Sequence, residues 1–181
     1  MNGAKSPFAN AANDAEKVQR VKQTPKKGSH RYDEEKELLS LLDRLFSNQR
    51  YAVLATQKAG QPYTNLVAFA ATEDGKRLIF VTPRATRKYT NIGEDPHVSM
   101  MIDNRENTAS DINDATAVSA IGVAEEVSGE DKEALLRLFL SKHPFLETFA
   151  RSASCALMKI SVEKYDIVRE FQNVVELKMV S

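Results

Sequence analysis

Three cations, Arg84, Arg87 and Lys88, fall within five positions of the run VTPRATRKYTNIGEDP, from Val81 to Pro96. The run begins as the end of an apolar strand and continues into a short helix expected from about Thr86 to Ile92, with Gly93 as its stop and Asp95-Pro96 preventing continuation. Cations are unfavourable at a helix N-terminus, where the macrodipole is already positive. A bound anion resolves the conflict. Free backbone N–H groups, the Thr86 hydroxyl and two or three cations could converge on a phosphate. Spacing alone leaves a solvated basic turn open as the alternative.

Other self-contained chemistry has little support. The seven glycines are too dispersed for a G-x-G-x-x-G or a P-loop. His30, His97 and His143 are far apart, with no His or Cys at metal-ligand spacing, so no metal site is expected. There is no G-x-S-x-G elbow. Cys155, the single cysteine, lies in the apolar run CALMKISV and reads as a buried structural thiol. Tyr63 and His143 have acid–base chemistry, but each reads as structural, and no catalytic residue is assigned.

The elements that must position the cationic turn follow from periodicity. An amphipathic helix is expected over DEEKELLSLLDRLFSNQR, with Asp33 as its cap and Leu38, Leu41, Leu42, Leu45 and Phe46 on one face. YAVLATQ and PYTNLVAFAAT read as strands about the turn KAGQ, and Asp74-Gly75 marks the hairpin into RLIFVT. HVSMMID and ATAVSAIGVAEEV supply a fourth and a fifth strand, with Gly122 marking a bulge or close approach. A helix capped at Ser128 carries Leu135, Leu136, Phe139 and Leu140, FLETFARS adds a helical turn, and CALMKISV and EKYDIVREF read as two further strands. Most connections are too short for parallel crossovers. The expected fold is mainly β: an antiparallel barrel with peripheral helices.

Composition bounds the partners. The 181 residues carry 25 Lys/Arg and 25 Asp/Glu, so there is no general bias toward nucleic acid or anionic membrane. The balance conceals an asymmetry: residues 1–32 hold seven Lys/Arg and two acids, a net +5, and read as a flexible basic tail before a domain over 33–181. No apolar run approaches a membrane span, and MNGAKSPFANAAND lacks the apolar stretch of a secretory leader. With one cysteine, a cytoplasmic location is the expectation.

At this point the sequence resembles the FMN-binding split-barrel superfamily, the pyridoxamine 5′-phosphate oxidase-like proteins. The resemblance is carried by Thr82, Thr86, Arg87 and Lys88 in VTPRATRK, by NIGEDPHVSMMID after it and by GQPYTNLVAFAATEDGKRLIFVT before it, and extends from Asp33 to about Leu177. It implies a six-stranded antiparallel split β-barrel, a homodimer, and FMN in a cleft at the subunit interface. By position, Arg87 and Lys88 would hold the FMN phosphate and Thr86 would donate its hydroxyl. Val81 and Thr82 would lie beside the flavin, and Asn65, Leu66 and Val67 would run along its ring. The loop Asn104–Asp114 could reach the cofactor, whereas Arg84 gains no role and is expected in solvent.

Asn65 and Ala70 stand near the places where pyridoxamine phosphate oxidases carry an Arg and a Lys, and those enzymes' C-terminal Arg/His pattern is absent from YDIVREFQNVVELKMVS. The resemblance therefore points away from vitamin B6 oxidation and toward the haem-utilisation and other flavoprotein branches. It implies an FMN-dependent oxidoreductase acting on an unidentified small molecule. A non-catalytic FMN- or haem-handling protein and a deazaflavin-dependent reductase are the alternatives, with no membrane or nucleic-acid partner.

Overall fold

The computed structural model describes residues 29–169 and 173–179, with side chains from Glu34 onward. The expected tail falls mostly on residues 1–28, outside the described residues. The first helix, α1, runs Ser29–Asn48, so Asp33 lies inside it and is not its cap. From Leu38 onward its apolar face behaves as the spacing predicts: Leu38, Leu42, Leu45 and Phe46 are buried in the main core.

Seven antiparallel strands follow: β1 Tyr51–Lys58, β2 Gln61–Ala71, β3 Arg77–Pro83, β4 His97–Asp103, β5 Ala117–Glu126, β6 Cys155–Arg169 and β7 Asn173–Lys178. Their order is β3-β2-β1-β4-β5-β6-β7, and β3 also pairs with β6, which closes a six-stranded barrel as expected. The two C-terminal strands expected over CALMKISV and EKYDIVREF are one continuous 15-residue strand. Its first half pairs with β3 and its second half with β7, so a single long strand both closes the barrel and carries the extra strand. The buried positions change phase between Val162 and Tyr165, at the register shift with β5, and this break makes one strand read as two.

Two local devices set the register. The β1–β2 hairpin turns through Ala59 and Gly60, both at positive φ (49° and 78°), which suits the twist of a two-residue hairpin. Gly122 sits at the register shift between β5 and β6. A Cβ there would lie 2.1 Å from the Ser161 carbonyl oxygen, so only glycine permits this approach.

Alternate residues of the strands fill the barrel with Leu54, Phe69, Leu78, Phe80, Met100, Ile102, Met158 and Ile160. On the outer side of β3, a second cluster joins Ile79, Val81, Cys155 and Leu157 to Leu135, Leu136 and Phe139 of helix α4, Asp131–Lys142. Helix α4 begins at Asp131, three residues after Ser128, and Ser128 does not cap it. Cys155 is buried, as its apolar run predicts. No helix among the described residues is long and apolar enough to cross a membrane.

Candidate functional site

One end of the barrel is covered by helix α2, Arg87–Glu94. Gly93 lies within this helix rather than ending it, and Asp95 is the C-cap. Asn91 and Ile92 are its buried residues. Asn91 donates to the Thr56 hydroxyl on β1 at 3.0 Å, Lys58 bridges to Glu94 at 2.6 Å, and Gln57 donates to Asp95. These contacts from β1 hold the C-terminal half of the helix.

That N-terminus is uncapped. Thr86 occupies the N-cap position with extended backbone, but its side chain makes no cap hydrogen bond. Its hydroxyl donates back to the Pro83 carbonyl oxygen at 2.8 Å and lies 3.0 Å from the hydroxyl of Thr82, which is fully buried. The first-turn N–H groups of α2 therefore lack a side-chain acceptor and are available to an anion. Thr86 has one hydroxyl proton, and Pro83 already takes it. In this arrangement Thr86 offers a ligand lone pairs, not the expected donation.

Arg87 is exposed, and its guanidinium carbon lies 4.7 Å from the centre of the Tyr63 ring on β2. The stack holds a long cation in place at the mouth without neutralising it. Lys88 is half-buried, and burial holds its ammonium below the usual lysine range. Neither cation has a carboxylate partner among the described residues. A desolvated lysine without a counter-charge beside an uncapped helix start is an arrangement that an anion would complement.

Asn65 lies two residues beyond Tyr63, on the same side of β2. Its side-chain oxygen is buried and has no hydrogen-bond partner. An unpaired buried acceptor costs roughly 1–3 kcal/mol, which a ligand N–H would offset. Val67, the next residue on that face, packs into the barrel core, and Val81 packs into the cluster under α4. Only the backbone of these two remains for a ligand. Leu66 points the opposite way and is 66% exposed. It pairs across β1 with Val53, which in turn pairs with Met101 of β4, and Tyr51 nearby is also exposed. Thr82 and Thr86 thus meet, Arg87 rests on Tyr63 two residues from Asn65, Lys88 follows at the helix start, and Leu66 faces the other side of β2.

Arg84 is partly exposed but paired, not a free solvated cation. It forms an ion pair with Glu126 on β5 and donates to the carbonyl oxygens of Ala153 and Cys155 at 2.8 and 2.7 Å. Tyr89 of α2 donates to the other oxygen of Glu126 at 2.7 Å. The Arg84 hydrogen bond holds the Glu126 carboxyl below its usual range, with help from Tyr89 and against the opposing effect of burial. Arg84 therefore ties the strand β3 exit to β5 and β6 and orients the turn that carries Arg87. Periodicity could not show this, because Glu126 and the two carbonyls are distant in sequence. The Tyr63–Arg87 stack was closer to legible, since period two places Tyr63 on the Asn65 side of the strand.

His143 is buried at the other end of β2, where its Nε2 contacts the Phe69 carbonyl oxygen at 2.8 Å. Burial holds its imidazole below the usual range, so it is a structural group. The Asn104–Asp114 loop contains a short helix, α3, Asp111–Asp114, and Asp111 accepts from the backbone N–H groups of Glu106 and Thr108. Among the described residues, no three His, Cys, Asp or Glu side chains group as metal ligands.

A closed six-stranded antiparallel barrel with a cationic, uncapped helix start at one mouth defines a split-barrel protein. Residues 38–169 match the family model described as pyridoxamine 5′-phosphate oxidase, and the chain belongs to that family. No curated protein sequence matches it.

Among solved structures, a heme binding protein from Mycobacterium smegmatis is similar with a TM-score of 0.67 and 16% identity, covering 74% of this chain and 55% of its own length. This chain thus spans about half of that relative. A putative pyridoxamine 5′-phosphate oxidase from Listeria innocua is similar with a TM-score of 0.59 and 16% identity, covering 74% of this chain and 99% of its own. A FAD-binding protein from Mesorhizobium loti is similar with a TM-score of 0.55 and 21% identity, covering 71% and 90% respectively. At these identities the likeness concerns the fold.

Proposed function

We propose that this chain is an FMN-binding flavoprotein, acting in the cytoplasm as an oxidoreductase on a small molecule. The observation that carries the reading is the uncapped start of α2 flanked by Arg87 and Lys88, two cations without carboxylate partners. The FMN phosphate complements both the first-turn N–H groups and the two charges. The buried Asn65 oxygen fits an N–H on the pyrimidine edge of the ring. A bound FMN would supply hydride and single-electron chemistry, and the protein would set its position and electrostatics.

The donor set favours a flavin phosphate over haem. It consists of cations, first-turn backbone N–H groups and an amide, whereas haem iron needs a His, Cys, Met or Tyr ligand. Of the tyrosines here, Tyr63 lies against the Arg87 guanidinium and Tyr89 donates to Glu126.

The second component of the proposal is a homodimer. Leu66 and Tyr51 are 66% and 58% exposed on the outer side of β1 and β2, with Val53 and Met101 beside them. A second copy covering this strip would bury apolar area that otherwise faces water. FMN at the subunit interface is part of this proposal.

The test is a visible spectrum of the purified protein with mass spectrometry of the chromophore released by heat. FMN supports the reading. A colourless protein that added FMN does not perturb refutes it. Turnover with NAD(P)H and an electron acceptor separates an oxidoreductase from a protein that only holds flavin, and a deazaflavin in the released fraction would replace FMN as the cofactor.

A further inference from the structure

A groove of about 370 Å³ opens on the opposite side of the fold from the α2 mouth, between α1, α4 and the β2–β3 turn. Leu39, Leu42, Ala70 and Leu138 give it an apolar lining, and Leu39 remains 38% exposed. Lys142, the last residue of α4, also lines it. Its Nζ donates to the Phe46 carbonyl oxygen at 2.6 Å and lies 4.0 Å from the centre of the Phe69 ring. Asp43, Glu73 and Asp74 line the same groove, but none comes within ion-pair distance of the Lys142 amine. Arg50 donates to the Lys142 carbonyl and adds a second positive charge nearby.

We propose that Lys142 is a reactive amine at the end of this groove that captures small apolar aldehydes as an imine. An apolar ring or chain would rest on Leu39, Leu42 and Leu138, with its carbonyl carbon toward Nζ. The amine nitrogen bonds to that carbon, and both amine hydrogens leave with the carbonyl oxygen as one water molecule. Nothing is oxidised or reduced. The Phe46 carbonyl, released from Lys142, turns to groove water. Burial and the neighbouring Arg50 support the assignment, since they hold the amine down to about 8, so much of it is neutral in mildly alkaline solution. This site is independent of the flavin reading.

The test treats the full chain with benzaldehyde and sodium cyanoborohydride at mildly alkaline pH and maps benzylated lysines by peptide mass spectrometry. Lys142 is expected to label at least ~10-fold faster than the exposed Lys36 and Lys178, because an ordinary lysine is almost wholly protonated there. That advantage should shrink as pH falls. Leu39→Glu, at an exposed helix position, should abolish it for benzaldehyde while leaving formaldehyde labelling of Lys142 unchanged. Three results overturn the proposal: Lys142 labels no faster than Lys36, formaldehyde alone shows the preference, or Leu39→Glu leaves benzaldehyde labelling intact.

Discussion

Lys88 connects binding and stability in opposite directions, and a single substitution reads both. Its ammonium is half-buried without a carboxylate partner, and burial lowers its pKa. Below its folded pKa the lysine is charged both folded and unfolded, so there the folded state bears the whole desolvation cost. Lys88→Met should therefore raise the melting temperature of the ligand-free protein. The gain should narrow as pH rises through the lysine range, because the penalty is present below the folded pKa and disappears above the unfolded one.

Binding moves the other way. A charge-assisted phosphate contact contributes about 1.5–3 kcal/mol, so Lys88→Met should weaken FMN about 10- to 100-fold. Adding Arg87→Ala should bring the loss to about 3–6 kcal/mol. Titration by flavin fluorescence measures it, with riboflavin as the control, since it has the ring without the phosphate. Unchanged FMN affinity in the double variant refutes the cradle. An equal loss for riboflavin refutes the assignment of these cations to the phosphate.

Glu126→Ala removes the acceptor shared by Arg84 and Tyr89 and should cost about 1–3 kcal/mol in urea unfolding. Because the Glu126 carboxyl is held below its usual range, this stabilisation is present above the unfolded carboxyl pKa and is lost as pH falls through the folded one, so the difference should vanish in acid. Gly122→Ala drives a Cβ into the Ser161 backbone and should cost about 3 kcal/mol or more, read by thermal unfolding; near-neutral behaviour would mean that β5 and β6 separate easily there. Ala59→Gly should stabilise by up to about 1 kcal/mol, since a left-handed alanine is relieved at the β1–β2 turn. Leu66→Glu should give a monomer by analytical ultracentrifugation and lose flavin with it; a dimer that persists places the interface elsewhere.

Local pattern was enough for most of the architecture. Alternation identified the strands from β1 through β5, the Asp74-Gly75 turn separated β2 from β3, and Leu38, Leu42, Leu45 and Phe46 marked the buried face of α1. The proposed anion cradle rests on a similarly local pattern. Arg87 and Lys88 open the helix, so charge and dipole conflict within a few residues of sequence.

Other features were settled only when distant segments met. The closure of the barrel depends on β6 pairing with both β5 and β3, and the phase change between Val162 and Tyr165 makes one 15-residue strand read locally as two. Arg84 reads as a solvated cation until Glu126 and the carbonyls of residues 153 and 155 converge on it. Val67 on β2 and Val81 on β3 are both expected beside a flavin, yet their side chains face two different cores, because the closed sheet decides which side is inside. The sequence determined which residues could bind phosphate. The tertiary structure decided which of them stay unpaired, because a cation becomes a ligand site only where the fold brings it no carboxylate.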